Sequence, residues 1–430
     1  MRSLLIVFYC LVSALTIKAN GQDRLWKIQT TDYHGTYYGA TVANGGIGIL
    51  PWKEPFSIRH VMLNHVFDSA TPQDVSRVLR GINPFNLQMQ INGQTVNGDN
   101  ISGWEQCIDM KEATHNTHFI CDGKADVSYS ICALRNLPYA GLVRVEVTAL
   151  GDMYLTVSNP IEVPDEYKNI GSKQVNVNVN GNDIKIVRTW ALSKHREQKV
   201  SASSAFIYDK NSNVQQQYNG NGQISIPLKK GEKFFFTLLG AVCTGRDFID
   251  PYNEADREVI YGAKEGLARL MDGHQKLWDE MWKGDIVIEG DDEAQRAVRF
   301  ALYNLYSNAR KGSRLSIPPF GLSSQGYNGH IFWDTEFWMY PPMLFMNQGI
   351  ARTMMDYRTD RLEAACQKAL SYGYDGAMFP WESDDAGEEA CPTWALTGPF
   401  EHHITADIAI AAWNYYCMSG DQRWLREEGF

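Results

Sequence analysis

The sequence predicts a multidomain chain of class β + α, in which a large N-terminal antiparallel β-sandwich precedes a set of amphipathic helices. Three observations predict it. The 430 residues exceed what one ordinary hydrophobic core holds. From about Gln22 to Asp250 apolar residues alternate with polar ones, the spacing of half-buried strands. Beyond Asp250 the apolar period lengthens to three and four, the spacing of helices with one buried stripe.

In the first part, Val143, Val145 and Val147 alternate with polar partners, as do Val175, Val177 and Val179, followed after Asn180-Gly181 by Ile184 and Ile186. "QMQINGQTV" reads as a hairpin with Asn92-Gly93 at its turn, and "QISIPLKKGEKFFFTLLGAV" as two more strands about a Lys-Gly turn. Many short strands separated by turn residues make a sandwich. The second part opens with Ile260, Ala263, Leu267, Leu270, His274, Leu277 and Met281, one amphipathic helix in which His274 reads as a core histidine. A strand-like "DIVIEG" follows. Asp291 or Asp292 then caps a helix carrying Ala297, Val298, Ala301, Leu302 and Leu305. Further helices fit around Phe337 to Met346, Ile350 to Leu370 and Thr405 to Met418, the last stopped by Gly420, and "QRWLREEGF" begins another. The boundaries are a β domain over 22–255, a helical linker over 256–290 and a helical domain over 291–430.

Ahead of these lies "MRSLLIVFYCLVSALTIKANGQ", in which Arg2 precedes an apolar stretch from Leu4 to Leu15 and small residues around Ala19 and Gly21. Residues 1–21 read as a secretory signal peptide, which sends the protein to the periplasm or the extracellular space. Phe8 and Tyr9 before Cys10 are too bulky for a lipoprotein cleavage box. No other stretch reaches the roughly 18 to 20 apolar residues of a membrane span. The formal net charge of −10 argues against nucleic acid and anionic lipid as partners. Beyond the leader the cysteines are Cys107, Cys121, Cys132, Cys243, Cys366, Cys391 and Cys417, without CxxC spacing. They form neither a dense disulfide framework nor a zinc site, although one bridge, Cys107 with Cys121, fits an oxidising compartment. No metal and no cofactor is expected, since phosphate-cradling glycine motifs and metal-ligand spacings are absent from the sequence.

Chemistry concentrates in two stretches rich in Trp and acid. "GHIFWDTEFWMYPP", residues 329–342, sets Asp334 and Glu336 among aromatic residues, where an ionised group is costly unless partnered. Such acids either close the core or line a sugar site, because aromatic faces suit the C–H faces of a pyranose and carboxylates its hydroxyls. "GAMFPWESDDAGEEACP", residues 376–392, places Trp381-Glu382 after Pro380 in a loop. Two such segments, each between helices, are expected to converge on one pocket. Asp384, Asp385, Glu388 and Glu389 read as a solvated loop rim. Glu336, two residues past Asp334 along an incipient helix, points elsewhere and is assigned to an Arg or a helix N-terminus.

"GHIFWDTEFWMYPPMLF", "YRTDRLEAACQKALSYGYDGAMFPWESDDAGEEACP" and "EHHITADIAIAAWNYY" together resemble the corresponding blocks of glycoside hydrolase family 65, whose members include maltose, trehalose and kojibiose phosphorylases and glucosidases. "ANGGIGIL" at 43–50 and "LWDEMWKGDIVIEGDDEAQRAVRFALYNLY" at 277–306 resemble its β domain and the start of its barrel. The resemblance implies a β-sandwich, a helical linker and an (α/α)6 barrel, of which residues 291–430 form an incomplete first part. It implies an oligosaccharide or glucoside substrate, with Asp334 as the catalytic group stabilising a flattened ring. Trp333, Asp334, Trp381, Glu382 and His402 would bind substrate. Family members act with inversion, through a Glu in a block resembling "GPDEYH". The nearest letters here, "GPFEHH" at 398–403, belong to an earlier helix start. The expectation is therefore an exported α-glucoside hydrolase lacking its general acid in this chain, the first part of a longer enzyme. An α-glucoside phosphorylase and a non-catalytic carbohydrate-binding protein stay open as alternatives, as does a homodimer.

Overall fold

The computed structural model describes residues 23–69, 75–179, 181–209 and 211–429, so the expected leader lies outside the described residues. The strands are β1 (Lys27–Thr30), β2 (Val42–Ala43), β3 (Ile47–Pro51), β4 (Ile58–Ser69), β5 (Ser76–Gly81), β6 (Gln88–Ile91), β7 (Gln94–Thr95), β8 (Ile101–Asp109) and β9 (Thr114–Cys121). They continue with β10 (Ala125–Ala133), β11 (Ala140–Ala149), β12 (Met153–Asn159), β13 (Tyr167–Val179), β14 (Asn182–Ser193), β15 (Lys199–Tyr208), β16 (Gln215–Tyr218), β17 (Gly222–Leu228) and β18 (Lys233–Thr244). The helices are α1 (Pro251–Glu265), α2 (Leu267–Met281), α3 (Asp292–Asn308), α4 (Tyr340–Met346), α5 (Gln348–Thr359), α6 (Leu362–Ser371), α7 (His403–Ser419) and α8 (Gln422–Glu427).

A nine-stranded sheet in the order β1-β8-β9-β10-β11-β18-β15-β14-β13 faces a five-stranded sheet, β16-β17-β12-β6-β7. All strand pairs in both are antiparallel. The alternation read from the sequence is the packing: on β11, Val143, Val145 and Val147 are buried while Arg144 is exposed. Phe85, Phe119, Val127 and Val157 belong to the core between the sheets. The β6–β7 turn holds Asn92 at φ 52° and Gly93 at φ 82°, the positive pair that a two-residue hairpin turn needs. A four-stranded sheet, β2-β3-β4-β5, lies where the sandwich meets the helices. Its β2 touches β10 and α3, and β5 touches the turn Gly326–Gly329. On the outer face of the large sheet, Val259 of α1 and Leu270 of α2 join Ile186, Leu239 and Ala241 in a second cluster.

Several elements differ from the sequence reading. β17 and β18 lie in different sheets, so the Lys-Gly turn links two layers and not a hairpin. The apolar stripe from Ile260 to Met281 is split between α1 and α2 at Gly266, whose φ 83° and ψ 153° favour glycine. Helix α1 starts earlier, at Pro251, where the Asp250 side chain accepts the Asn253 N–H. "DIVIEG" is not a strand, because a side chain takes the place of a strand partner. Gln295 donates to the Ile286 carbonyl (2.8 Å) and accepts the Ile288 N–H (2.6 Å). The Ile350–Leu370 run breaks at Asp360-Arg361 into α5 and α6. A π-helical turn, Thr335–Met339, precedes α4.

Other readings hold. Asp291 caps α3 through the N–H groups of Glu293 and Ala294. Gly420 closes α7 in the left-handed region at φ 64°. His274 is a core histidine: its Nδ1 accepts the Arg135 N–H (3.0 Å), its Nε2 donates to the Glu112 carbonyl (2.9 Å), and burial pushes its pKa down to about 4. The Cys107–Cys121 bridge, by contrast, does not form, and both are free thiols. The β8–β9 register puts Cys107 opposite Asn116 and Cys121 opposite Ile101, at opposite ends of the ladder and beyond disulfide reach. No helix among the described residues is long and apolar enough to cross a membrane.

Candidate functional site

The two Trp-acid segments meet. Ile331 and Ser383 exchange backbone hydrogen bonds in both directions at 2.9 Å, an antiparallel bridge that ties residues 329–334 to residues 380–390. Beside the bridge, Phe332 meets Trp381 edge to face at 5.7 Å. Trp333 and Trp381 pack on one small cluster of Ala365, Phe379, Ile404 and Ile408. Gly398 lies under the Trp381 ring, and a Cβ there would collide with it. Trp394 and Phe400 stand exposed in the same loop.

The acids in these segments have different fates. Glu336 is 4% exposed and takes a two-pronged ion pair from Arg358, Nε to Oε1 and Nη2 to Oε2, both 2.8 Å. Arg358 also donates to the Phe332 carbonyl at 3.1 Å. Glu336 is thus a structural acid, as its offset from Asp334 along the helix implies. Asp334 is half-buried at the start of the π-helical turn, and its carboxylate accepts no capping hydrogen bond. It enters no ion pair among the described residues, so its oxygens are free to accept from a ligand.

Glu382 is buried, with Oε2 at 2.8 Å from Nδ1 of His330. Its backbone N–H and that of Trp381 donate to Glu389 at 3.1 and 3.0 Å, and Lys368 holds Glu389 at 2.5 Å. Asp384 is 4% exposed and accepts from the Ser76 hydroxyl and the Ala386 and Glu388 N–H groups. Asp384 and Glu389 therefore are not part of a solvated rim; they build the loop from inside. Glu388 is exposed, and Asp385 pairs with Arg196 at 2.8 Å.

At the start of α7, the ring that meets Trp333 belongs to His403, edge-on at 5.2 Å, whereas the exposed His402 ring meets Tyr374 at 5.6 Å. Asp407 at 2.7 Å and Glu401 at 2.9 Å flank His403. Hydrogen bonding to Asp407 leads in raising the pKa of this imidazole. Sequence reasoning did not single out His330 or Arg358, and it favoured His402 over His403. His330 lies inside the quoted Trp-acid segment, but Arg358 sits 22 positions beyond its partner. Among the described residues no group of three His, Cys, Asp or Glu could hold a metal.

Residues 39–281 match the glycosyl hydrolase family 65 N-terminal domain, and residues 299–430 match the family 65 central catalytic domain. A kojibiose hydrolase of Flavobacterium johnsoniae is 40% identical over 92% of this chain and 59% of its own length. A kojibiose hydrolase of Mucilaginibacter mallensis is 36% identical over 97% of this chain and 63% of its own length. The chain thus spans about three-fifths of the length of these relatives. A solved structure from the human microbiome, provisionally named a kojibiose phosphorylase, superposes with a TM-score of 0.79 at 15% identity. It covers 94% of this chain and 57% of its own, a likeness of fold alone.

Proposed function

The chain belongs to glycoside hydrolase family 65, and from that premise we propose that it carries the glucose-binding part of an exported, inverting glycosidase acting on α-glucosides, with kojibiose the leading substrate. The helices from Asp292 onward are read as the first part of an (α/α)6 barrel. The observation that carries the proposal is the contrast between Glu336, saturated by Arg358, and Asp334, which keeps its acceptors free beside Trp333. In this reading Trp333 and Trp381 supply aromatic walls. Asp334 accepts sugar hydroxyls whose geometry changes as the ring flattens, so its hydrogen bonds strengthen toward the oxocarbenium-like transition state. Glu382 lines the opposite wall, and His402 with Tyr374 forms the outer rim.

An inverting glycosidase also needs an acid to protonate the leaving oxygen and a base to activate water on the far face. The carboxylates beside Asp334 are committed: Glu336 to Arg358, Glu382 to His330, Glu389 to Lys368, and Glu401 and Asp407 to His403. We therefore assign the general acid to none of them, and the 430-residue chain is expected to bind a glucoside without cleaving it. Hydrolase is preferred over phosphorylase because two relatives that match nearly the whole chain carry the hydrolase name. Export points the same way, since a secreted enzyme gains little from conserving bond energy as a sugar phosphate.

Calorimetric titration with kojibiose, maltose and trehalose, with glucose and glucose 1-phosphate assayed in the same samples, tests this. The expected result is saturable heat with kojibiose and no product. Absence of heat with all three sugars overturns the glucose site. Release of glucose overturns the assignment of the missing acid, and glucose 1-phosphate formed in phosphate buffer moves the chain to the phosphorylases.

A further inference from the structure

We propose that Ser76 and His330 are positioning residues for Glu382, through which strand β5 of the β domain sets the direction of the acid on the sugar-facing loop. The proposal rests on the reading of Glu382 as a sugar ligand.

The β domain reaches the loop at close range. Gly329 has φ +74°, and a Cβ there would collide with Val78 of β5, so glycine lets the strand come this near. The next residue, His330, is 0% exposed and stacks on Phe67 of β4 at 5.7 Å with 10° between the planes. Its Nδ1 lies 2.8 Å from Glu382 Oε2, and its Nε2 lies 3.2 Å from Ser76 Oγ. Ser76 Oγ is also 3.2 Å from Asp384 Oδ2.

Proton counting orders this chain. An ionised carboxylate only accepts, so the single hydroxyl proton of Ser76 goes to Asp384. The same Ser76 oxygen also holds His330 Nε2, which orients the ring. Nδ1 faces the Glu382 carboxylate, which can only accept, so the hydrogen bond between them is Nδ1–H to Oε2. The geometry is a Ser-His-Glu line, but the buried serine has no approach for a substrate carbonyl and its proton is spent on Asp384. It is a brace and not a nucleophile. Asp384 is anchored in turn by Arg196 at 3.6 Å, from the turn between β14 and β15, while Asp68 of β4 accepts the Arg196 N–H at 2.6 Å. His65 of β4 also lies near, kept neutral by burial and by the surrounding cations. A buried hydrogen-bonding group tolerates loss of its partner poorly, so the line fixes which Glu382 oxygen is consumed and leaves Oε1 for a ligand.

The test uses the 430-residue chain labelled with 15N-histidine, the His330 signals being identified by their loss in His330→Gln. The His330 Nδ1 signal is expected in the protonated range, as the donor to Glu382. Ser76→Ala should shift the Nε2 signal and weaken kojibiose binding roughly tenfold, and Ser76→Thr should restore both. Should Ser76→Ala fail to fold, Ser76→Cys gives the same readouts with nearly unchanged size. A wild-type His330 with an unprotonated Nδ1, or an unchanged affinity in the serine variant, overturns the proposal. If the wild-type chain binds no kojibiose, the sugar reading fails by itself, and the nitrogen signals still decide whether Ser76 sets the state of His330.

Discussion

Two carboxylates two residues apart, Asp334 and Glu336, show how little a residue type says before its partner is known. Both sit in the same aromatic run, and the sequence names both as costly to bury. The difference is made by Arg358, which reaches back from α5 and closes both oxygens of Glu336. Removing that partner alone leaves an unpaired buried charge. Arg358→Met is therefore expected to lower the unfolding free energy by about 3 to 5 kcal/mol, read from the denaturant midpoint. Replacing both residues with methionine should recover much of that loss. The direction of Glu336 was legible from its helical offset, whereas the identity of its partner was not, because an ion pair across 22 residues leaves no local pattern. His330 and His403 escaped for the same reason: their roles come from Ser76, Glu382 and Trp333, which only the folded chain brings near.

At the scale of elements, the site is two loops stitched by the Ile331–Ser383 bridge, with Gly398 making room for Trp381. Gly398→Ala forces that ring to move. It should cost about 1 to 3 kcal/mol of stability by overpacking and should weaken kojibiose binding, visible as altered near-UV circular dichroism and a lower affinity in the same titration. That the two loops converge was legible from their matching Trp-acid content between helices. Strand character was legible too, since alternation reports which face of β11 is buried. What alternation does not carry is the neighbour: β17 and β18 read as one hairpin because their partners, β12 and β11, lie far off in sequence. Helical period has a similar blindness to breaks. Gly266 and Asp360-Arg361 interrupt stripes whose apolar spacing runs on in phase, and only the first interruption carries a glycine signal. The false strand at "DIVIEG" has apolar alternation but no strand beside it, since Gln295 supplies its hydrogen bonds.

For the whole molecule, the buried histidines tie stability to pH. Burial pushes His115 and His274 down to about 4 and His65 well down. Between pH 6.5 and 4 the unfolded chain takes up protons at these positions and the native chain does not. Their contribution is complete above about pH 6.5 and is lost as pH falls toward 4. At pH 5 the loss is on the order of 2 kcal/mol for each of His115 and His274. Denaturant midpoints at pH 7 and pH 5 check this, and His115→Gln should flatten the difference. The two-part architecture was legible from the change of period near Asp250, and membership of the family from the quoted blocks. The four-stranded sheet that carries Phe67, Ser76 and Val78 to the site was not, because nothing in strands β4 and β5 marks them as facing a loop 250 residues away.

In the proposed site Asp334 is held open for a sugar. Titration of kojibiose into the wild-type chain and Asp334→Asn, with thermal midpoints of both, tests it most directly. The expected result is at least tenfold weaker binding in the variant with an unchanged midpoint. Equal affinity accompanied by a shifted midpoint would contradict it, and would make Asp334, like Glu336, an acid of the fold.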